Sequence, residues 1–177
     1  MLNTILQFWF EDIAPAQWWR SDPAFDALLK TRFFDVHQQA ACGECHAWRD
    51  TPRGRLAEII VLDQFSRNLF RGTPTAFVQD PTALVLAQEA VRQGALAALN
   101  EVECGFMLMP MMHSESALIH QQAEPLFRAH APYNHPAELQ HKAIIDRFGR
   151  YPHRNAILGR PSTPEELSFL QQPGSSF

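Results

Sequence analysis

Apolar residues recur at three- and four-residue spacing along most of the chain. Phe25, Leu28, Leu29 and Phe33 form one such series, and a second runs through residues 84–91. This period is typical of amphipathic helices, and no segment shows the sustained period of two that strands have. The pattern therefore predicts an all-α fold, with antiparallel helix pairs joined by short links.

Helix starts share one local pattern, in which a side-chain acceptor precedes a proline at the first helical position. Thr163 also forms a capping box with Glu166. Gly94 is expected to end the helix predicted over 81–93. We predict helices over 3–10, 23–42, 52–68, 73–79, 81–93, 100–108, 114–129, 136–149 and 164–171. The four starts are Asp22-Pro23, Thr51-Pro52, Asp80-Pro81 and Thr163-Pro164.

Two further residues fix the predicted break in the middle of the chain. Pro110 follows the helix at 100–108 and is expected to end it, because a proline inside a helix removes a hydrogen bond. Ser114 is expected to cap the next helix. His113 would then lie in the link between the two helices.

The length of 177 residues predicts one domain, 1–177, with a frayed tail over 172–177. The longest aliphatic run is only Ile59 to Leu62, so no membrane span is expected. The first residues, MLNTILQFWFEDI, lack the basic segment of a signal peptide, which favours a cytoplasmic location. The three cysteines are expected to be free thiols.

Charge is unevenly distributed. The chain carries a net charge of -4, yet residues 141–160 contain five basic side chains and one acidic side chain. Such asymmetry can mark an anion site. A genome that favours arginine codons would also raise the number of arginines in the chain. The negative charge elsewhere disfavours nucleic-acid binding.

The segment LAEIIVLDQFSRNLFRG, residues 56–72, predicts a central helix that is apolar on all sides and leads directly into Asp63. A buried carboxylate needs partners, and Arg67, Asn68 and Arg71 follow on the next turns. These groups favour a structural ion-pair network and a ligand site about equally. Asp63 and Arg67 stand four residues apart, as do Asp146 and Arg150, so each pair is predicted to meet on one helical face.

His113 lies in MPMMHSES, two residues before Glu115. With His141 or His153 they could form a metal site, since imidazole and carboxylate suit zinc or iron, but their spacing matches no compact motif. A capping or network role for His113, and a core role for His141, are the simpler interpretations. No bound metal is therefore predicted.

Two other motifs resemble cofactor sites. Cys42, Cys45 and His46 fit the pattern of covalent haem attachment, but that chemistry requires export, so no haem is predicted. The methionines of residues 107–112 are read as core filler. No phosphate loop or nucleophile elbow is present, and no cofactor is predicted.

The phrases ILQFWF, LDQFSRNLFRG, MPMMHSES and FGRYPHRNAILGR together resemble a bacterial family known only as domain of unknown function 924. The resemblance runs from the first helix to the last. It implies an all-helical fold like that of tetratricopeptide-repeat proteins, a right-handed superhelical stack of helix pairs, and it implies no established activity.

Three hypotheses for function follow. The first is the binding of a small carboxylate, a phosphate or an acidic peptide end by residues of the three motif regions. The second is a hydrolase in which His113, Glu115 or His153 provides acid–base chemistry and arginines stabilise an oxyanion. The third is a protein-interaction scaffold in which the same charges are purely structural. The candidate ligand-binding residues are Asp63, Arg67, Asn68, Arg71, Arg150, His153, Arg154, Asn155 and Arg160.

Overall fold

The computed structural model describes residues 1–176, which fold as helices and connecting turns without a strand. The all-α class predicted from the apolar period is confirmed. The α-helices are α1 (Leu2–Gln7), α2 (Pro23–Ala41), α3 (Pro52–Ile60), α4 (Ser66–Leu69), α5 (Asp80–Arg92), α6 (Glu101–Met112), α7 (Ala117–His130), α8 (His135–Phe148) and α9 (Pro164–Phe169). π-helical turns cover Phe8–Asp12 and Val61–Phe65, and 3₁₀ turns cover Pro15–Trp19, His46–Asp50, Pro74–Phe77, Ala95–Ala98 and Pro152–Arg154.

Three of the four predicted helix starts use the expected cap. Asp22 and Thr51 accept backbone N–H groups of their helices, and Thr163 forms its capping box with Glu166. The prediction for Asp80 was wrong, because α5 begins one residue earlier and its N-cap is Gln79. The carboxylate of Asp80 therefore does not cap the helix and instead accepts hydrogen bonds from arginine side chains.

Pro110 does not end α6, which continues through it to Met112. All residues of α6 from Glu103 to Met112 are buried, and the helix packs against α3, α5 and α7. This packing outweighs the single hydrogen bond that proline removes. Ser114 does not cap the next helix either, since α7 starts at Ala117 after the N-cap Ser116. Residues 113–116 are therefore a short linker at the end of a buried helix.

The central helix predicted around Ile59 to Leu62 is present, and these four residues are fully buried. It widens into a π-helical turn that leads to α4. In this turn the carbonyl oxygen of Leu62 accepts the Ser66 hydroxyl at 2.6 Å, and that of Asp63 accepts Arg67 Nη1 at 2.7 Å. Side chains thus bond carbonyl groups of the turn, and single π-helical turns are frequent at functional sites.

A smaller apolar cluster around Ile144, Ile145 and Tyr151 lies beside the main core. It fixes α8 and the following loop, which returns toward the end of α6. In the tail, Ser175 is buried and its hydroxyl bonds the Leu170 carbonyl at 3.2 Å. Phe177, the last residue of the tail predicted to fray, lies outside the described residues. No helix within residues 1–176 combines the length and apolarity needed to cross a bilayer.

Candidate functional site

Asp63, at the π-turn, is the centre of a group that we name the inner cluster: Asp63, Arg67, Asp80, His113 and Arg154. Its carboxylate is fully buried, with Oδ1 2.8 Å from His113 Nδ1 and Oδ2 2.6 Å from Gln64 Nε2. Burial opposes ionisation, but Arg67 and His113 together hold the pKa of Asp63 well below its usual range. Asp63 is therefore an ionised carboxylate in the interior.

Arg67 and Asp80 form the second layer of the inner cluster. Arg67 donates through both terminal nitrogens to the two oxygens of Asp80, at 3.0 and 3.1 Å. Its Nη1 is also 3.4 Å from Asp63 Oδ1, so the predicted ion pair four residues apart is present. Asp80 Oδ2 receives Arg154 Nη1 as well, at 3.3 Å. One carboxylate therefore bridges arginines from two motif regions.

Arg154 differs from the other motif arginines. Its side chain is only 7% exposed, and its guanidinium stacks over the rings of Tyr151 and Phe77, with Cζ 4.6 and 4.9 Å from their centroids. Among the described residues, its buried Nε has no hydrogen-bond partner. Burial and the charge of Arg67 lower the pKa of Arg154. Within residues 1–176, the 3.3 Å contact with Asp80 is its only carboxylate contact.

A second group, the C-terminal cluster, consists of Glu115, Tyr151, Asn155 and Arg160. Arg160 grips both oxygens of Glu115, at 2.5 and 2.9 Å, and the Tyr151 N–H donates to the same carboxylate at 2.8 Å. Asn155 accepts Arg160 Nε at 3.0 Å and donates to the Ser162 hydroxyl. Despite partial burial, the hydrogen bond from Arg160 lowers the pKa of Glu115. Glu115 and Arg160 therefore form a two-point ion pair that uses both oxygens of the carboxylate.

The Tyr151 ring connects the C-terminal cluster to the inner cluster, because it contacts the Arg154 guanidinium. Its hydroxyl donates to the Met112 carbonyl at 2.5 Å and is 3.1 Å from His120 Nε2. The rings of His141 and His153 lie beside it, with centroids at 5.7 and 5.6 Å. Burial lowers the pKa of His141 to about 3 and that of His153 to about 4. Both imidazoles are therefore neutral at physiological pH.

Beneath Tyr151 lies a buried pair that the sequence did not single out. His120 Nδ1 is 2.7 Å from Glu138 Oε1, and both side chains are completely buried. The other carboxyl oxygen of Glu138 has no partner among the described residues. Burial raises the pKa of Glu138 above its ordinary value, although the hydrogen bond with His120 acts in the opposite direction.

Other candidate residues lie outside these clusters. Arg71 and Asn68 both donate to Asp26 of α2. Arg150 spans both oxygens of Glu166, at 2.6 and 2.8 Å. They bind carboxylates of neighbouring helices and anchor α4 and α9.

The predicted ion pair between Asp146 and Arg150 is wrong. Asp146 pairs with Lys142, and α8 ends at Phe148. Gly149 then adopts a left-handed conformation with φ of 69°, which takes Arg150 off the helical face of Asp146.

The metal candidates have separate partners. His113 faces Asp63, Glu115 faces Arg160, and His141 Nδ1 lies 2.8 Å from the Ala137 carbonyl. Within residues 1–176, no three His, Cys, Asp or Glu side chains are grouped as metal ligands. At the haem-like motif, Cys45 is buried whereas Cys42 is exposed.

Sequence reasoning missed the partners that complete the clusters. Asp80 was assigned to a helix cap, and Tyr151 was passed over inside the third motif. Glu166 was assigned only to the capping box of Thr163, and the remaining missed residues are Asp26, His120 and Glu138. Only Tyr151 carried a usable signal, since a buried tyrosine among arginines needs a partner for its hydroxyl.

Surface recesses occur elsewhere. One of about 250 Å³ is lined by residues that include Phe34, His37 and Phe70, and another of about 300 Å³ by residues that include Val91 and Met111. Neither recess is lined by an inner-cluster residue.

Comparison with known proteins places the chain beside uncharacterised relatives. A family model described as "Bacterial protein of unknown function (DUF924)" matches residues 5–174. The solved structure of the protein of unknown function ATU0120 from Agrobacterium tumefaciens is similar, with 38% sequence identity, 96% of each chain covered and a TM-score of 0.91. No curated protein matches significantly.

Proposed function

We propose that this chain, which belongs to the DUF924 family of bacterial proteins of unknown function, binds a small carboxylate or phosphate at Arg154. The observation that carries the proposal is the state of the Arg154 guanidinium. It is buried, and within residues 1–176 its Nε–H lacks an acceptor and its single carboxylate contact, with Asp80, is 3.3 Å long. A charge-assisted bond to an anion would satisfy this donor.

The other motif arginines support this choice by contrast. Arg71, Arg150 and Arg160 each hold a carboxylate through two nitrogens, and Arg67 does so with Asp80. The guanidinium groups of these four arginines already bind carboxylates of the protein. The candidate ligand-binding set from the sequence thus narrows to Arg154, with Arg67 and the histidines nearby, while the remaining members act as supports.

Charge limits the ligand that fits. The inner cluster contains two carboxylates, Asp63 and Asp80, against two guanidinium groups, Arg67 and Arg154. It has no large surplus of positive charge, so polyanions such as nucleic acid are poor candidates. A ligand with one or two negative charges, and the size of a simple organic acid or inorganic phosphate, fits best.

The test compares Arg154→Lys with the matched variant Arg71→Lys. Lysine keeps the charge but loses the planar fork. Calorimetry and thermal melts with succinate, benzoate and inorganic phosphate should show binding to the native chain and to Arg71→Lys. At about 100 times its dissociation constant, a ligand stabilises by about 2.7 kcal/mol, which is a melting shift of several degrees. Sodium chloride at equal ionic strength is the blank.

Two results would contradict anion binding at Arg154. One is the absence of any ligand-dependent shift in the native chain. The other is an equal shift in both variants. Either result, with Arg154→Lys merely less stable, would leave the arginines as a structural network.

The finer fold and location predictions also belong to the proposal. We infer a tetratricopeptide-like stack, supported by consecutive packing of α5 on α6, α6 on α7 and α7 on α8. A cytoplasmic location and a scaffold role with a protein partner stay predictions.

A further inference from the structure

His113 and Asp63 form an oriented pair at the edge of the inner cluster. Because Asp63 is an ionised acceptor 2.8 Å from His113 Nδ1, the proton of the neutral imidazole must lie on Nδ1. The lone pair then lies on Nε2. This nitrogen has no hydrogen-bond partner among residues 1–176, and the side chain is 13% exposed.

The fold holds this orientation from both sides. His113 is the C-cap residue of the buried helix α6, and its N–H donates to the Met109 carbonyl at 3.0 Å. Asp63 comes from the π-turn, where Gln64 holds its second oxygen. A hydrogen bond to Nδ1 that fixes the tautomer and ring plane is the device by which a carboxylate prepares histidine for proton transfer.

The surroundings of His113 keep its imidazole in the neutral form. Burial and Arg67 lower the pKa of His113, and Asp63 and Asp80 oppose them. His141 and His153 are the other titratable groups in range. The imidazole is therefore neutral near pH 7, while its neighbour Asp63 can stabilise the imidazolium that forms during proton transfer.

We propose that His113 is the general base of an esterase activity toward small esters that carry a carboxylate, with Asp63 as its positioning residue. This inference rests on the proposed function, since Arg154 would hold the carboxylate of the ester. Asp80, which contacts both Arg67 and Arg154, links the anion site to the Asp63–His113 pair.

The reaction needs only water as a co-reactant. His113 Nε2 takes a proton from water while the water oxygen bonds to the ester carbonyl carbon, and the carbonyl electron pair moves onto its oxygen. The carbonyl then re-forms as the bond to the alcohol oxygen breaks. That oxygen takes the proton from Nε2, which leaves a carboxylic acid, an alcohol and neutral His113, with no change of oxidation state.

The experiment uses 4-acetoxybenzoate and its uncharged analogue phenyl acetate. The native chain should hydrolyse 4-acetoxybenzoate with a higher kcat/KM than phenyl acetate. His113→Gln should lower kcat by about 100-fold or more, as expected for loss of a general base. His46→Gln, at an exposed histidine, is the matched control and should act like the native chain. Asp63→Asn should lower kcat more than it changes KM and should shift the pH profile.

Benzoate binding, measured by calorimetry on the same proteins, separates the two proposals. Benzoate binding without hydrolysis, or hydrolysis unchanged in His113→Gln, overturns the esterase inference and leaves anion binding intact. If the native chain neither binds benzoate nor hydrolyses 4-acetoxybenzoate, the anion-binding proposal and the esterase inference are both overturned.

A measurement without substrate guards against misfolded variants. Nitrogen-15 NMR of the native chain should show His113 protonated on Nδ1 and not on Nε2 at pH 7. The opposite tautomer would overturn the inference, because Nε2 could then accept no proton.

Discussion

The carboxylate beside each motif arginine decides what that arginine can do. Arg160 is held by Glu115 and Asn155 and fixes the loop after α8. Arg154 shares Asp80 with Arg67, and its Nε–H has no acceptor in the part of the chain that the structure describes. Breaking a buried pair by removing one partner costs more than the pair contributes, because the remaining charge is stranded. Loss of Asp80 would therefore remove the carboxylate contact of Arg154 and leave Arg67 paired with Asp63 alone.

Glu138 gives a prediction at the scale of one residue. One of its buried oxygens contacts His120 and the other has no partner. Its pKa is raised by burial, so its contribution to stability is complete below about 4.5 and is lost as pH rises through the folded value. Glu138→Gln removes this titration, so the variant should gain in free energy of unfolding relative to the native chain between pH 5 and pH 8.

Urea denaturation of both proteins across this range measures the gain. The control is Glu101→Gln, at an exposed position in the first turn of α6, which should follow the native curve. A Glu138→Gln variant that loses stability equally at every pH would show that the carboxyl group serves only as a hydrogen-bond partner.

At the scale of elements, local signals predicted the helices and packing decided their ends. The caps at Asp22, Thr51 and Thr163 depend on neighbouring residues only, and they could be read from sequence. The continuation of α6 through Pro110 depends on three other helices that surround it. The π-turn at Asp63 has no local signature either, since its carbonyl groups are bonded by side chains one turn later.

Gly54 of α3 gives a prediction for the contact between α3 and the turn before it. A Cβ at Gly54 would lie 1.9 Å from the backbone carbonyl oxygen of Trp48 and 2.9 Å from Thr51 Oγ1. Alanine favours helix by about 1 kcal/mol over glycine, but the backbone oxygen cannot move aside cheaply. Gly54→Ala should therefore lower the free energy of unfolding by about 2 kcal/mol or more.

Gly105→Ala is the matched comparison for this contact. A Cβ at Gly105 would meet the side-chain oxygen of Asn134 at 2.5 Å, and that side chain can rotate away. Chemical denaturation should show a smaller loss for Gly105→Ala than for Gly54→Ala. Equal or greater stability of Gly54→Ala would mean that helix propensity outweighs the steric contact.

For the whole molecule, the motif residues were visible in the sequence but their partners were not. Arg67, His113 and Arg154 stand in unusual phrases, and the structure joins them through Asp63 and Asp80. Asp80 looked like an ordinary helix cap. Whether an arginine is held by a protein carboxylate or keeps a donor for a ligand depends on angles and distances of tenths of an ångström, which sequence spacing does not encode.

Buried neutral histidines make the whole fold sensitive to acid. His113, His141 and His153 all have a pKa lowered from the ordinary 6.5, chiefly by burial, to about 3 for His141 and about 4 for His153. A depressed folded pKa gives stability that is complete above 6.5 and is lost as pH falls toward the folded value. Each histidine contributes a slope of up to about 1.4 kcal/mol per pH unit.

The free energy of unfolding, measured in urea, should therefore fall steadily from pH 7 to pH 5. Glu138 acts in the opposite direction over this range, but it is one group against these three histidines and His37, whose pKa burial also lowers. His141→Gln should reduce the slope of the free energy of unfolding against pH by up to the contribution of one histidine. His46→Gln, at an exposed position, should keep the native slope. A free energy of unfolding that stays constant from pH 7 to pH 5 would mean that these imidazoles take up protons as readily within the fold as in the unfolded chain, which would contradict their lowered pKa values.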